Sequence, residues 1–381
     1  MKAALRAVQR PADARLLAID ADGTIRDLPR TRLETLFAPG DVLVANDAAT
    51  LPASLAGIHR PSGQPIEVRL AGRRSLDADD VRAFTAVVFG AGDHRTRTED
   101  RAAPPPLAAG DGLALGPLRA RIRRRLGHPR LVELGFEGPA DAIWAGIATH
   151  GRPIQYAHVQ QPLALWDTWT AVAAQPVAFE PPSAGFVLDW ALLDALRERG
   201  VAFHTLTHAA GISSTGDPAL DARLPFDEAY DIPASTAEAV SEARRSGGRV
   251  IALGTTVTRA LEHAVSRLES DTDMLPTGEG RADQRLGPAT TLRIVDVIVS
   301  GTHEPGTSHH ELLRAFASEA RLERIDAALE HGGYRTHEFG DSVWLEAAGD
   351  AEAVDAQARS NLNTATLASR FGQRRTTAPP W

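Results

Sequence analysis

An α/β/α domain carrying an inserted small antiparallel β-barrel is the fold class this 381-residue chain predicts. Three observations predict it. From about residue 155, amphipathic helices alternate with short apolar runs, the pattern of strands covered by helices on both faces. Between 61 and 154 the texture changes to short segments of alternating polarity, closely punctuated by Gly and Pro, as in a small barrel or sandwich. Strand-like runs with polar ends stand before that interval as well as after it. The α/β domain therefore takes 1–60 and 155–381, and the barrel takes 61–154.

Taken in order, "DARLLAIDADGT" (13–24) reads as a strand and a turn, and Val42 to Ala45 as a strand ending in Asn46 and Asp47. The barrel segments are "QPIEVRLAG", "AFTAVVFGAG", "LALGPLRARIRRRLG" and "PRLVELGFEG", with no helical periodicity among them. In the third, Arg119, Arg121, Arg123 and Arg125 alternate with Leu118, Ala120 and Ile122, so on a strand the arginines share one face. That face is either a phosphate-binding surface or a solvated one. Residues 189–200 form a helix closed by Gly200, and 201–208 form the next strand. Residues 235–248 form a helix capped by Ser235, with Glu238 completing a capping box. A strand over 290–301, a helix over 309–333 and a turn and strand over 338–347 follow. The polar, Pro-ended tail "RSNLNTATLASRFGQRRTTAPPW" reads as loose.

The stretch "RVIALGTTVTRALE" (249–262) carries the most chemistry. Its apolar strand stops at Gly254, which permits a tight turn, and Thr255 and Thr256 start a helix. Arg259 and Glu262, three apart, share a face of that helix. Strand ends that open into helix N-termini are where open α/β sheets hold ligands. Asn46 and Asp47, Thr207 and His208, Thr255 and Thr256, and His303 all fall at such ends, and a parallel sheet brings them to one edge. The loop Pro182-Ser183-Ala184-Gly185 leads into a helix and can offer backbone N–H groups to a ligand.

Composition narrows the function. A formal net charge of −8 rules out general polyanion binding, so any nucleic-acid contact needs a local basic patch. The absence of cysteine excludes disulfides, thiolate metal sites and cysteine nucleophiles. No phosphate-binding P-loop, H-E-x-x-H or G-x-G-x-x-G turn is present. "SGTHEPGTSHHELL" holds three histidines, but His309 and His310 are adjacent and point to different helix faces, so no metal is expected there. The N-terminus lacks an apolar signal core and no run of about 18 apolar residues occurs, which reads as a cytoplasmic protein with no membrane contact.

Five blocks in order resemble one family. "PGDVLVANDAATLPASLAG" is similar to P-G-D-[LV]-L-V-x-N-[ND]-T-[RK]-V-[IL]-P-A-R-[LI]-x-G. "EPPSAGFVL" is similar to [AV]-x-P-T-A-G-L-H-F, and the 249–262 stretch to R-[VI]-[IV]-A-V-G-T-T-S-[VT]-R-[ATS]-L-E. "VDVIVSGTHEP" resembles V-D-x-[LM]-[IVL]-T-N-F-H-L-P, and "FGDSVWL" resembles [FY]-G-D-[AG]-M-[FL]-[IL]. These blocks resemble the S-adenosylmethionine:tRNA ribosyltransferase-isomerase family of queuosine biosynthesis.

The resemblance implies that S-adenosylmethionine serves as co-substrate, donating its ribosyl portion to the aminomethyl group of a 7-deazaguanine precursor in a tRNA anticodon. That portion becomes an epoxycyclopentane, and adenine and methionine leave. The chemistry asks for a base at the C5′ hydrogens and a donor to the departing adenine; it asks for no metal. The resemblance places His303, His208 and Glu228 in catalysis and assigns Pro182, Ser183, Ala184, Gly185, Thr255, Thr256, Arg259 and Glu262 to the co-substrate. Asn46, Asp47, Arg121 and Arg123 then face the acceptor. The chain departs from the family at Asp47-Ala48-Ala49, where Asn-Thr-Arg is usual, and its histidine near 208 is shifted by one place. On a strand that shift turns the side chain to the other face. Phe226-Asp227-Glu228 stands for His-Ser-Glu, and Gly301-Thr302-His303 for Asn-Phe-His. These departures keep two alternatives open: an S-adenosylmethionine-dependent lyase or transferase with a small-molecule acceptor, and a noncatalytic adenosyl- or RNA-binding protein. The sequence sets no oligomeric state.

Overall fold

The computed structural model describes residues 1–268 and 274–348; the tail from Arg359 to Trp381 lies outside them. A nine-stranded mixed sheet forms the larger part. Across it the strands run Gly278–Ala282, Glu228–Ile232, Ala202–His208, Val42–Asn46, Val250–Leu253, Val297–Gly301, Ser342–Glu346, Arg15–Ile19 and Ile25–Pro29. The four strands from Ala202–His208 to Val297–Gly301 are parallel to one another, and antiparallel neighbours flank them. The parallel run accounts for the apolar sequence of residues 42–45, 250–253 and 297–299, whereas Ala202–His208 is polar at His204, Thr205 and Thr207. Val42, Val44, Val250, Ala252 and Ile298 pack to one side with Val240, Leu261 and Ile325 from three helices. Leu43, Ala45, Ile251, Leu253 and Val299 pack to the other, with Phe37, Leu196 and Trp344. Both faces are covered, which makes three layers.

The second unit is a closed six-stranded barrel whose neighbouring strands are all antiparallel. Its strands are Ser54–His59, Gln64–Arg73, Phe84–Phe89, Gly112–Leu115, Leu118–His128 and Leu131–Phe136. Alternate residues such as Leu55, Val68, Val88, Leu113, Ile122 and Leu134 fill its interior. Closure needs the Ser54–His59 strand, which stands ahead of residue 61. A helix, Ala140–His150, packs against the barrel; its buried face is only Ile143, Gly146 and Ile147, too sparse to show as periodicity.

Several sequence-based boundaries move. The strand expected over 290–301 is confined to Val297–Gly301, because the backbone N–H groups of Arg293, Ile294 and Val295 bond to Glu262 instead of a strand. The helix expected over 309–333 is two, Ser308–Leu313 and Glu319–Gly332, since the Ser318 side chain caps a fresh start by accepting from Arg321 N. Ser235 is not a cap: Pro233 precedes a helix running Ala234–Arg245. In the arginine strand a register shift between Ile122 and Arg124 interrupts the alternation, so Arg124, not Arg123, stands opposite Glu133. No helix among the described residues is long and apolar enough to cross a membrane.

Candidate active site

A cavity of about 1150 Å³ opens where the strands Val250–Leu253 and Val297–Gly301 end, beside the segment that follows Ala202–His208. The barrel reaches it through Arg95, Arg97, Thr98 and Glu99. The volume lies somewhat above the usual range for small-molecule sites, roughly 300–1,000 Å³.

The Gly-Thr-Thr turn forms one wall. Gly254 has φ +99°, and a Cβ there would lie 3.1 Å from Ala184 Cβ, so the turn and the Pro182-Ser183-Ala184 loop press together. Pro182, Ser183, Ala184, Thr255 and Thr256 all line the cavity. Gly185 does not; it sits behind the loop, where a Cβ would be 2.8 Å from Thr170 Cγ2. Thr255 Oγ1 and His309 Nδ1 are 2.9 Å apart, and the His309 ring stacks on His303 at 4.7 Å. His303 Nε2 is 3.0 Å from Ser300 Oγ. Burial pushes His303 well below the usual imidazole range and His309 down to about 4, so both rings are neutral at physiological pH. His310, one residue on, turns away to Asp326, as adjacent helical positions must.

Arg259 and Glu228 meet as a buried ion pair on the cavity wall. The second Arg259 nitrogen donates to the carbonyls of Ala282 (2.9 Å), Gln284 (3.2 Å) and Phe226 (3.3 Å). Glu228 also accepts from Gly211 N at 2.5 Å, an approach that requires glycine: a Cβ at 211 would be 2.9 Å from the same carboxylate. Burial raises the Glu228 carboxyl and Arg259 opposes that shift.

Glu262 on the helix and the strand-end residues Asn46, Asp47 and His208 do not line the cavity. Glu262 accepts from Arg293 N, Ile294 N and Val295 N at 2.9–3.0 Å, so the residue grouped with Arg259 from helical spacing anchors a neighbouring loop. Asn46 bonds to both the N–H (3.0 Å) and the carbonyl (2.9 Å) of His208, and Asp47 accepts from Thr205 Oγ1 and Thr207 Oγ1. These two tie adjacent parallel strands together. His208 is fully buried behind Glu228, with Nε2 3.6 Å from that carboxylate and its ring stacked on Tyr230 at 6.4 Å. It lies in the packing beneath the cavity and does not line it. Arg121 and Arg123 are exposed on the barrel, away from the cavity lining; Arg121 donates to Gly110 O and Glu137.

A further wall escaped sequence reasoning. Glu180 accepts from Tyr156 Oη at 2.5 Å and from Ser213 N at 3.1 Å, and burial drives its carboxyl up to about 7. Beside it His158 Nε2 lies 3.0 Å from a Glu338 carboxylate oxygen, and the His158 and His337 rings stack at 4.2 Å. Among the described residues, this His158–His337–Glu338 group is the set placed to hold a metal ion. Glu180 could have been flagged as a charge next to the Pro-Pro turn. Tyr156, His158 and His337 lie in irregular segments with no pattern to mark them.

A family model described as queuosine biosynthesis protein matches residues 2–345. The chain belongs to the queuosine biosynthesis protein family. It is 31% identical over 347 residues to an S-adenosylmethionine:tRNA ribosyltransferase-isomerase of Geobacter sulfurreducens, covering 89% of this chain and 94% of the relative. A relative of the same name from Methylobacterium sp. is 32% identical over 360 residues, covering 90% and 94%. Among solved structures, an S-adenosylmethionine tRNA ribosyltransferase from Thermotoga maritima matches at 21% identity, with a TM-score of 0.45 and coverage of 90% and 94%. The segments Pro182-Ser183-Ala184 and Gly254-Thr255-Thr256, both within the matched range, form opposite sides of one junction in the cavity wall.

Proposed function

We propose that this protein is an S-adenosylmethionine:tRNA ribosyltransferase-isomerase of queuosine biosynthesis, acting in the cytoplasm on a tRNA anticodon that carries an aminomethyl 7-deazaguanine. One observation carries the reading: the loop Pro182-Ser183-Ala184 and the turn Gly254-Thr255-Thr256, distant in sequence, close on one another at the rim of a single large cavity. S-adenosylmethionine lies there with its adenosyl part against the two segments. Ser183 and the N-terminus of the Thr255–Ser266 helix offer hydrogen-bond donors. The stacked neutral pair His303 and His309 flanks the adenine, and Glu180, whose carboxyl is raised into the neutral range, takes the C5′ proton made acidic by the sulfonium. Tyr156 stays protonated, since burial raises its hydroxyl, and holds Glu180 in place. Arg259 and Glu228 fix the floor, and His208, Glu262, Asn46 and Asp47 support it from behind. The chain divides into an α/β unit drawn from both sides of the insertion and an inserted barrel that starts at the Ser54–His59 strand, ahead of the boundary expected at residue 61, and whose Arg121 and Arg123 face the tRNA backbone.

Incubation with S-adenosylmethionine and precursor-bearing tRNA is expected to release adenine and methionine in equal amounts and to add the cyclopentane to the tRNA, read by mass spectrometry. Release that does not depend on tRNA would overturn the acceptor and favour a small-molecule substrate. Neutralising Arg121 and Arg123 is expected to flatten the salt dependence of tRNA binding by about 0.9 log unit for each duplex phosphate no longer neutralised, less for single strands. An unchanged slope removes the barrel face from the interface.

A further inference from the structure

We propose that His158, His337 and Glu338 form a binding site for a divalent late-transition cation of the zinc class, with open coordination positions facing the cavity. Three ligand atoms, one from each residue, lie within 4.8 Å of one another. Ligands about 2.0–2.2 Å from one ion sit roughly 3.3 Å apart, so the set closes with side-chain shifts of about an ångström. His158 Nε2 and the Glu338 carboxylate are already 3.0 Å apart.

The two histidines are arranged as ligands more than as packing. His337 is the non-glycine residue held at positive φ, +70°, among the described residues. A side-chain-bearing residue keeps that conformation only where its surroundings impose it, and such positions gather at functional sites. Its ring stacks on His158 at 4.2 Å yet makes no hydrogen bond with any described residue, and it lines the cavity. A half-buried imidazole with both nitrogens unclaimed beside a carboxylate and a second imidazole is a donor set awaiting an acceptor. The Tyr156 ring lies parallel to the His158 ring, with centroids 6.4 Å apart. The set is two imidazoles and one carboxylate, with no sulfur, which suits zinc or cobalt better than magnesium or calcium. Three protein ligands leave a position for water or for a nitrogen or oxygen of the bound substrate, the arrangement of a reactive rather than a purely structural site.

The test uses the full chain without a histidine tag, stripped with chelator and titrated with Co²⁺, whose visible bands report its coordination. One equivalent of Co²⁺ is expected to give saturable bands that Zn²⁺ displaces. His158→Ala and Glu338→Gln are each expected to weaken binding by more than ~100-fold, beyond what loss of an outer-shell partner costs. His310→Asn, whose side chain faces Asp326 outside the cavity, is expected to leave the bands unchanged. Zn²⁺ is also expected to raise the melting temperature of the parent protein, a readout that needs no variant to fold. Absence of stoichiometric bands in the parent overturns the site, as does an identical spectrum from the His158→Ala/Glu338→Gln double variant. Neither outcome depends on binding of S-adenosylmethionine.

Discussion

Arg259→Met is expected to lower stability by about 3–5 kcal/mol, the cost of leaving one member of a buried ion pair without its partner. Arg259 and Glu228 are both almost fully removed from solvent, at 3% and 6% exposure, so water cannot take the place of the missing guanidinium. Three backbone carbonyls, those of Phe226, Ala282 and Gln284, lose a donor at the same time. Those carbonyls flank the strands Glu228–Ile232 and Gly278–Ala282, so the change also loosens the sheet edge below the cavity. Glu228→Gln is expected to be destabilising for the mirror-image reason. The double variant is expected to lose clearly less than the sum, because the unpaired charge has gone. Urea denaturation of the three variants measures this. A loss below about 1 kcal/mol in Arg259→Met would mean that the pair is solvated and free to serve the ligand.

Glu180→Gln is expected to reduce turnover by about 10²–10⁴-fold, the contribution of a positioned proton acceptor, while binding of S-adenosylmethionine is largely kept. The pH behaviour separates that role from a structural one. In chelator-treated protein, burial raises the Glu180 carboxyl from 4.5 to about 7; the bonds from Ser213 and Tyr156 oppose the rise and Glu338 adds to it. Between those two values the native state holds a proton that the unfolded chain has released, so stability falls as pH rises through the window. The total is about 3 kcal/mol. Glu180→Gln removes the proton exchange, and its stability is expected to be flat from this source and higher than the parent's at pH 8. The parent's kcat/KM is expected to climb as pH passes about 7, where Glu180 becomes the carboxylate that accepts the proton. His303→Gln, assayed in parallel, is expected to lose turnover without changing the stability slope in that window. Normal turnover in Glu180→Gln removes the carboxylate from the chemistry, whatever its effect on stability.

Local sequence determined a good deal of this protein. Apolar runs at 42–45 and 250–253 are legible as buried strands because both faces of a covered sheet demand the same residue class. Alternation at 118–122 marks a barrel strand, and Gly254-Thr255-Thr256 marks a strand-to-helix turn, because backbone conformation depends on near neighbours. Tertiary structure alone decided which polar strand ends face the cavity. Asn46, Asp47, Thr256 and His208 are equivalent by pattern, yet strand neighbours turn Asn46 and Asp47 into clamps and Tyr230 covers His208. Glu262 shares a helix face with Arg259 by spacing, but a loop 31 to 33 residues further on takes its carboxylate. Tyr156 and Glu180 lie 24 residues apart, and His158 and Glu338 lie 180 apart. No periodicity links such pairs, because their meeting depends on strand order and crossovers, and those are set by the packing of the whole sheet.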